Sequence, residues 1–446
     1  MSSLAKYLHM RGYDVCGSDI AVNERITALE KDGISVFIGH NAKAVLSADA
    51  VVYTDAVSSA DEELVAAGEN GIQCVSRMQL LAAIAEEFPF VIAVAGSHGK
   101  TSTTAMCAHV LLKSGAPFTA HIGGSDERLD NFYSNGAQYF VTEACEYKKN
   151  MLSFSGLQIA IWLNCDKDHL ECYQSFDDLK ESFYRYAAGA ERSIVNGDDE
   201  NIVPPQNAVT FGVKNKNCDY TLTSLRKSGE RYAFTILERG KKLCRVKLQV
   251  AGSFHIYNAL ATVAAMREAG IETKKIVKGL QSFTGVKRRY EKIGSYCGAT
   301  FYCDYAHHPA EVEKMLDLAH RCTDGELFVV FQPHTYSRTK FLMNEFIRVL
   351  SLAKNLVIYK TYAARESYDE AGSAYVLHEK IKNSLYAESI RELEVFIKKS
   401  VKKGDIVLFL GAGDIDYIAR RLLTKLGGKE TSRVRGLRRK QSKRNG

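Results

Sequence analysis

Val91-Ile-Ala-Val-Ala-Gly96-Ser97-His98-Gly99-Lys100-Thr101-Ser102-Thr103-Thr104 is the stretch on which the reading of this chain turns. It opens as a short, wholly apolar run, the signature of a strand buried on both faces of a parallel sheet. A glycine-containing turn follows, then Lys-Thr, then a helix-like segment over 104–112. Glycines let backbone N–H groups come close to phosphate oxygens, and a helix N-terminus adds a favourable dipole. Lys100 supplies a cation for β- and γ-phosphates, and the Thr101 hydroxyl is a ligand for Mg²⁺. Gly96, Ser97, His98, Gly99, Lys100, Thr101 and Ser102 are therefore the candidate nucleotide-binding residues. The usual phosphate-loop pattern has a further glycine where Val94 stands here, so the loop is the shorter G-x-x-G-K-T form.

Outward from the loop, similar apolar runs recur at 51–53, 139–141, 159–163, 328–331, 356–359 and 406–410, with charged amphipathic stretches between them. That alternation predicts an α/β protein built on doubly wound parallel sheets. The segment from about 219 to 250 differs. Tyr220-Thr-Leu-Thr, Tyr232-Ala-Phe-Thr-Ile and Leu243-Cys-Arg-Val-Lys-Leu-Gln-Val alternate with period two, which predicts an antiparallel β insertion with one wet face. Two of the parallel runs end in groups fit for a metal. Tyr139-Phe-Val-Thr-Glu143 ends in a carboxylate, and the run at 159–163 leads into Asn164, Asp166, Asp168 and His169. Ligands of parallel sheets bind at the strands' carboxyl ends, so Glu143, Asp168 and His169 are expected near the Lys100 loop.

With 446 residues the chain exceeds what one hydrophobic core holds, roughly 250–300 residues, so several domains are expected. The reading places them at 1–89, 90–284 and 285–430, with a basic tail at 431–446. Net charge is +7, and the tail carries seven Lys and Arg with no acidic residue, so the rest of the chain is neutral overall. The tail is expected to be solvated, with no nucleic-acid role. The eleven cysteines show no CxxC pair or zinc-ligand spacing, and no apolar run reaches the ~18–20 residues that span a bilayer. The expectation is a cytoplasmic protein with reduced thiols and no membrane insertion.

Seven motifs then fall in an order that resembles the Mur ligases. They are the stretch 95–104, Thr142-Glu-Ala-Cys-Glu-Tyr147, residues 164–173, Gly285-Val-Lys-Arg-Arg-Tyr-Glu291, Asp304-Tyr-Ala-His-His-Pro309, Phe331-Gln-Pro-His-Thr-Tyr-Ser-Arg-Thr339 and Gly411-Ala-Gly-Asp-Ile415. The resemblance implies an N-terminal Rossmann-like domain for a UDP-sugar, a central phosphate-loop domain for ATP and a C-terminal Rossmann-like domain for the amino-acid side. It implies an ATP-dependent ligase of peptidoglycan precursor synthesis that works through an acyl phosphate. His-His-Pro and Pro-His-Thr-Tyr-Ser-Arg favour the alanine-adding member, with UDP-N-acetylmuramate and L-alanine as substrates. By the same resemblance Thr101, Glu143 and His169 hold Mg²⁺, Asn258 meets the adenine side, and His308, His334 and Arg338 approach the reacting groups, with Lys100 neutralising phosphate.

The chain also departs from the family pattern. The family's opening strand and Gly-rich turn come just before the match to Met1-Ser-Ser-Leu-Ala, so the expectation is a start upstream of Met1. Phe254-His255 stands where His-Asn is usual, Thr335 where many relatives have Arg, and Lys360 near an expected acidic ribose contact. Phe183 stands near the position of the carbamylated lysine of some sister ligases, so no carbamate is expected. Two alternatives remain: a recycling ligase that attaches a murein tripeptide to the same UDP-sugar, and a truncated non-catalytic relative. The oligomeric state is not readable from the sequence.

Overall fold

The computed structural model describes residues 1–430 except 21, 56, 168–171, 229–230 and 365, so the basic tail, Asp168 and His169 lie outside the described residues. The chain forms two compact units, Met1–Thr284 and Gly285–Gly446.

The first unit is organised by a ten-stranded sheet. Its order is Lys241–Lys247, Arg231–Glu238, Tyr220–Ser228, Ala208–Phe211, Arg192–Asn196, Ile159–Trp162, Val91–Ala95, Tyr139–Glu143, Phe118–Asp126 and Asp130–Ser134. Val91–Ala95 is buried at every position and pairs in parallel with Ile159–Trp162 on one side and Tyr139–Glu143 on the other. Each large aliphatic side chain removed from water there contributes about 1.5–3 kcal/mol. The strand order reverses at Val91–Ala95, and such a switch point is where an open α/β sheet leaves a crevice beyond its carboxyl ends. The expected antiparallel insertion is an extension of this same sheet. Tyr220–Ser228, Arg231–Glu238 and Lys241–Lys247 form a meander that joins the parallel part through Phe211 and Tyr220.

The helix Lys100–Ser114 follows the loop and is buried from Thr101 through Leu111. It packs against Phe254–Glu268 and Thr273–Ser282. Before Phe90 the same unit carries two separate two-stranded parallel ladders, Cys16–Asp19 with Ser35–Ile38 and Ala50–Tyr53 with Gln73–Ser76. The doubly wound order would set one strand between Cys16–Asp19 and Ala50–Tyr53. Among the described residues none fills that position, and most residues of the first ladder are exposed.

The second unit has a seven-stranded sheet in the order Leu385–Ala387, Asn355–Tyr359, Leu327–Phe331, Ile406–Leu410, Ala299–Asp304, Glu291–Tyr296 and Lys429–Glu430. The first five strands are parallel, and the last two are antiparallel additions. Its core includes Phe301, Val330, Leu393, Phe409 and Leu422. Among the described residues no helix is long and apolar enough to cross a membrane.

Candidate active site

At the end of Val91–Ala95 the backbone turns through Gly96 at φ +135° and Gly99 at φ +87°, and Gly99 is the N-cap of the helix that starts at Lys100. A side chain at Gly99 meets two obstacles. The left-handed φ disfavours it, and a Cβ would stand 2.8 Å from the Asn258 Oδ1 atom. The approach that makes Gly99 necessary also seats Asn258, from Phe254–Glu268, directly on the loop.

Asn164 holds the loop from the other side. Its Oδ1 accepts from the His98 N–H at 2.8 Å, and its Nδ2 donates to the His98 carbonyl at 3.0 Å. Ser97 and Asp166 exchange hydrogen bonds through the Ser97 hydroxyl, and the His98 Nε2 atom lies 3.0 Å from the Asp166 carboxylate. The Thr103 N–H bonds the Gly99 carbonyl at 3.0 Å. The N–H groups of Lys100, Thr101 and Ser102 thus belong to the opening turn, whose donors a helix leaves without intrahelical partners. Together they form an anion cradle.

Glu143 lies in register with Val94, and its carboxylate accepts from the Gly123 N–H at 2.6 Å. A Cβ at Gly123 would stand 2.4 Å from that carboxylate, which would have to shift to admit it. The Thr101 hydroxyl and the Glu143 carboxylate are hard oxygen donors of the kind Mg²⁺ takes. Glu146 was not among the sequence candidates. Its carboxylate, 1% exposed, forms a 2.9 Å ion pair with the Lys100 ammonium, which also donates to the carbonyls of Gly96 at 2.6 Å and Ser97 at 3.2 Å. The signal available in the sequence was a second acid three residues after Glu143 in Thr142-Glu-Ala-Cys-Glu-Tyr147.

The departing residue His255 is buried beside Phe254, with ring centroids 4.2 Å apart, and its Nδ1 lies 3.3 Å from the Asn258 Nδ2 amide. The amide donates to a neutral ring, and burial pushes the imidazole pKa down to about 3. Phe183 is buried and stacked on Trp162 at 5.4 Å. Among the described residues, one group of three ligand-type side chains lies close enough to share a metal: His40, Asp61 and Glu63. Asp61 there caps a helix, and Glu63 accepts from the Asn41 N–H and the Ser18 hydroxyl.

In the second unit His334, Arg338 and His307 come together at the carboxyl ends of the parallel strands. Arg338 donates from Nη1 to the His334 Nδ1 atom at 3.0 Å, and the His334 ring stacks on Tyr362 with centroids 5.7 Å apart. His307, which was not among the sequence candidates, faces His334 at 5.8 Å between ring centroids. Pro309 holds the residue before it extended, which makes His308 the N-cap of Pro309–Cys322. Glu311 accepts from the N–H groups of both histidines. Burial first, then the neighbouring His307 and Arg338, pushes His334 down to about 4, and burial likewise lowers His307. Both rings are neutral near pH 7.

Arg288, at φ +60°, lies over the Tyr305 ring at 4.7 Å and donates to the Gly411 carbonyl at 2.7 Å. Asp304 ends its strand fully buried and accepts from the N–H groups of Tyr290 and Ala306. Burial pushes its carboxyl up to about 6 against the pull of Arg289. Thr335, at φ +66°, caps Tyr336–Phe341, and Lys360 is exposed.

A glycine loop that opens a buried helix with Lys100, and an Arg338–His334 pair beside His307, lie at the carboxyl ends of parallel strands, and the chain belongs to the Mur ligase family. Family models match throughout: "Mur ligase family, catalytic domain" at residues 1–89, "Mur ligase middle domain" at 94–266 and "Mur ligase, glutamate ligase domain" at 288–413. Within that family the chain is 35% identical over 437 residues to the UDP-N-acetylmuramate–L-alanine ligase of Acetivibrio thermocellus, covering 95% of this chain and 93% of that one. It is 36% identical over 439 residues to the protein of the same name from Agathobacter rectalis, covering 95% of each. Among solved structures it is similar to the UDP-N-acetylmuramate–alanine ligase of Thermotoga maritima, with TM-score 0.80, 30% identity and coverage of 95% and 96%. A murein peptide ligase from Psychrobacter arcticus shares the fold at TM-score 0.74 and 24% identity, covering 96% of each chain.

Proposed function

We propose that this protein joins L-alanine to UDP-N-acetylmuramate at the expense of ATP, as a ligase of peptidoglycan precursor synthesis. The observation that carries the reading is the loop itself, two positive-φ glycines that deliver the opening turn of a buried helix, with Lys100 at its first position. In this reading 1–89 serves the UDP-sugar, 90–284 the nucleotide and 285–430 the amino acid.

The chemistry asks two anions to meet, because the muramate carboxylate attacks the γ-phosphorus of ATP. Catalysis there is chiefly positioning and charge neutralisation. The turn N–H groups and Lys100 hold the β- and γ-phosphates, and Asn258 lies toward the adenine side. Thr101 and Glu143 would hold Mg²⁺, with His169 as a further ligand by family resemblance; when bound, the ion neutralises phosphate charge. The carboxylate oxygen bonds phosphorus, ADP leaves, and an acyl phosphate results. The alanine amine then attacks the acyl carbon, inorganic phosphate leaves, and the amine gives up a proton. A neutral imidazole of the His307–His334 pair suits that proton, and Arg338 and Arg288 suit the alanine carboxylate.

The murein-peptide reading makes the opposite demand on the amino-acid side. Phosphate release is expected only with ATP, UDP-N-acetylmuramate and L-alanine together, with little when the tripeptide L-alanyl-γ-D-glutamyl-diaminopimelate replaces alanine. Turnover with the tripeptide alone would reverse the assignment, and turnover with neither would remove the ligase reading.

A further inference from the structure

The parallel ladder between Ile159–Trp162 and Arg192–Asn196 ends at Trp162 opposite Val195. Just beyond it, the backbone around Asn164 is still paired, now by side chains from one turn, Asn196-Gly-Asp-Asp-Glu-Asn201. Asn196 donates from Nδ2 to the Leu163 carbonyl at 3.0 Å. Asp199 accepts from the Cys165 N–H at 2.9 Å, and Asn201 donates from Nδ2 to the Cys165 carbonyl at 3.0 Å. The turn is also cross-linked within itself. Asp199 accepts from the Asn201 N–H and Asn196 from the Asp198 N–H, both at 3.0 Å. The chain on both sides of Asn164 is thus fixed from 196–201, and the Asn164 amide is the group that grips the His98 N–H and carbonyl.

The same turn reaches the other asparagine of the loop. The Asp198 carboxylate accepts from the N–H groups of Val213, Lys214 and Asn215 at 2.8, 2.8 and 2.6 Å, and from the Tyr257 hydroxyl at 2.9 Å. Burial opposes the charge, but these four donors outweigh it and hold the carboxyl below the ordinary carboxylate range. Tyr257 lies in the first turn of Phe254–Glu268, whose N-cap Ser253 makes no side-chain cap bond. The opening donors of a helix lack intrahelical partners, and a missing cap weakens that end. The Tyr257 hydroxyl ties this uncapped turn to the sheet, and the next residue is Asn258, whose Oδ1 a Gly99 Cβ would meet at 2.8 Å.

We propose that the turn at 196–201 positions the nucleotide loop by two routes, through Asp199 and Asn201 to Asn164, and through Asp198 and Tyr257 to Asn258. The relay crosses two strands of the sheet, from Arg192–Asn196 over Ile159–Trp162 to Val91–Ala95. Donors fixed before a ligand arrives bind it more tightly, because no ordering cost then opposes binding. The inference rests on the nucleotide reading of the loop and adds positioning residues to it.

The test compares Asn201→Ala and Tyr257→Phe with wild type in the full chain. The first removes the grip on the Cys165 carbonyl. The second removes one hydroxyl and leaves Asp198 its three N–H donors. ADP affinity in Mg²⁺ is read by calorimetric titration, and the KM for L-alanine by phosphate release. Each variant is expected to bind ADP about fivefold more weakly, the equivalent of one net hydrogen bond, with the KM for L-alanine level. A role in the fold alone lowers the melting point and leaves ADP affinity in place. A folded variant that binds ADP within about twofold of wild type therefore overturns its own route, the Asn164 route for Asn201→Ala and the Asn258 route for Tyr257→Phe. A matching rise in the KM for L-alanine overturns it too, because that marks general loosening. If Asn201→Ala does not fold, Asn201→Ser, shorter but still a donor, is judged by the same criteria. Failure of the wild type to bind ADP instead removes the nucleotide reading on which both routes rest.

Discussion

Between Gly96 and Ser102 recognition is the work of backbone, whereas around His334 it is the work of side chains. In the loop, two positive-φ glycines and a helix start aim N–H groups, and Asn164 and Asn258 hold that backbone in place. In the second unit Arg338 orients His334, Tyr362 stacks beneath it and Arg288 lies over Tyr305. On the proposed function the first construction meets phosphate, a group common to many ligands, through atoms every residue possesses. The second offers rings and forked cations whose replacement alters selectivity. On that proposal fixed backbone suits the shared half of the reaction and exchangeable side chains the half that distinguishes one amino acid from another.

The largest break in that contrast is Lys100→Ala, the loop's one side-chain charge. Coupled turnover is expected to fall ~10²–10³-fold, as for loss of a major charge stabiliser, measured by phosphate release at saturating substrates. Gly99→Ala comes next, because it acts on the backbone alone. A Cβ against Asn258 and an unfavourable φ together cost about 2–3 kcal/mol, read as a roughly 30–150-fold weaker ADP affinity by titration. Intact affinity in Gly99→Ala would mean that the loop tolerates a side chain after all. In the second unit Arg338→Lys keeps the charge and loses the fork. The KM for alanine is expected to rise about tenfold while ADP affinity stays level, and a change in ADP affinity instead would erase the division of labour.

The smallest effect concerns His255. Its pKa is depressed to about 3 in the folded chain, so the folded state resists a proton that the unfolded state takes up below about 6.5. The stability associated with a neutral His255 is present above that value and is lost as pH falls, by about 2 kcal/mol at pH 5. His255→Asn is expected to flatten the melting-point profile between pH 7 and 5, and an unchanged slope would place the titration elsewhere.

Much of the fold could be read from local pattern. The runs at 91–95, 139–141, 159–163, 328–331, 356–359 and 406–410 all fall on strands of the parallel parts of the two large sheets, because continuous burial on both faces leaves little room for polar residues. The period-two segment is the meander that extends the central sheet. The site was less legible wherever its parts meet through tertiary contact. Asn164 reads as a polar strand end, and only the pairing of Val91–Ala95 with Ile159–Trp162 sets its amide against His98. Glu146 sits in the shadow of Glu143, three positions earlier, and nothing local aims it at Lys100. His307 and His308 are neighbours of one type, and Pro309 decides which of them becomes the helix cap. His169 lies outside the described residues, so the described part of the proposed metal set is Thr101 and Glu143.

The central place of Val91–Ala95 in its sheet has a consequence for how the molecule comes to exist. Its two partners are encoded later, Phe140 opposite Val91 and Ile159 opposite Ile92. During translation this wholly apolar segment leaves the ribosome well before either neighbour and must wait with both hydrogen-bonding edges bare. At synthesis rates of about 5–20 residues per second the wait lasts seconds, long enough for such a segment to be a natural client of chaperones. The same strand that later aims the glycine loop is thus a stretch on which a nascent chain is exposed to aggregation.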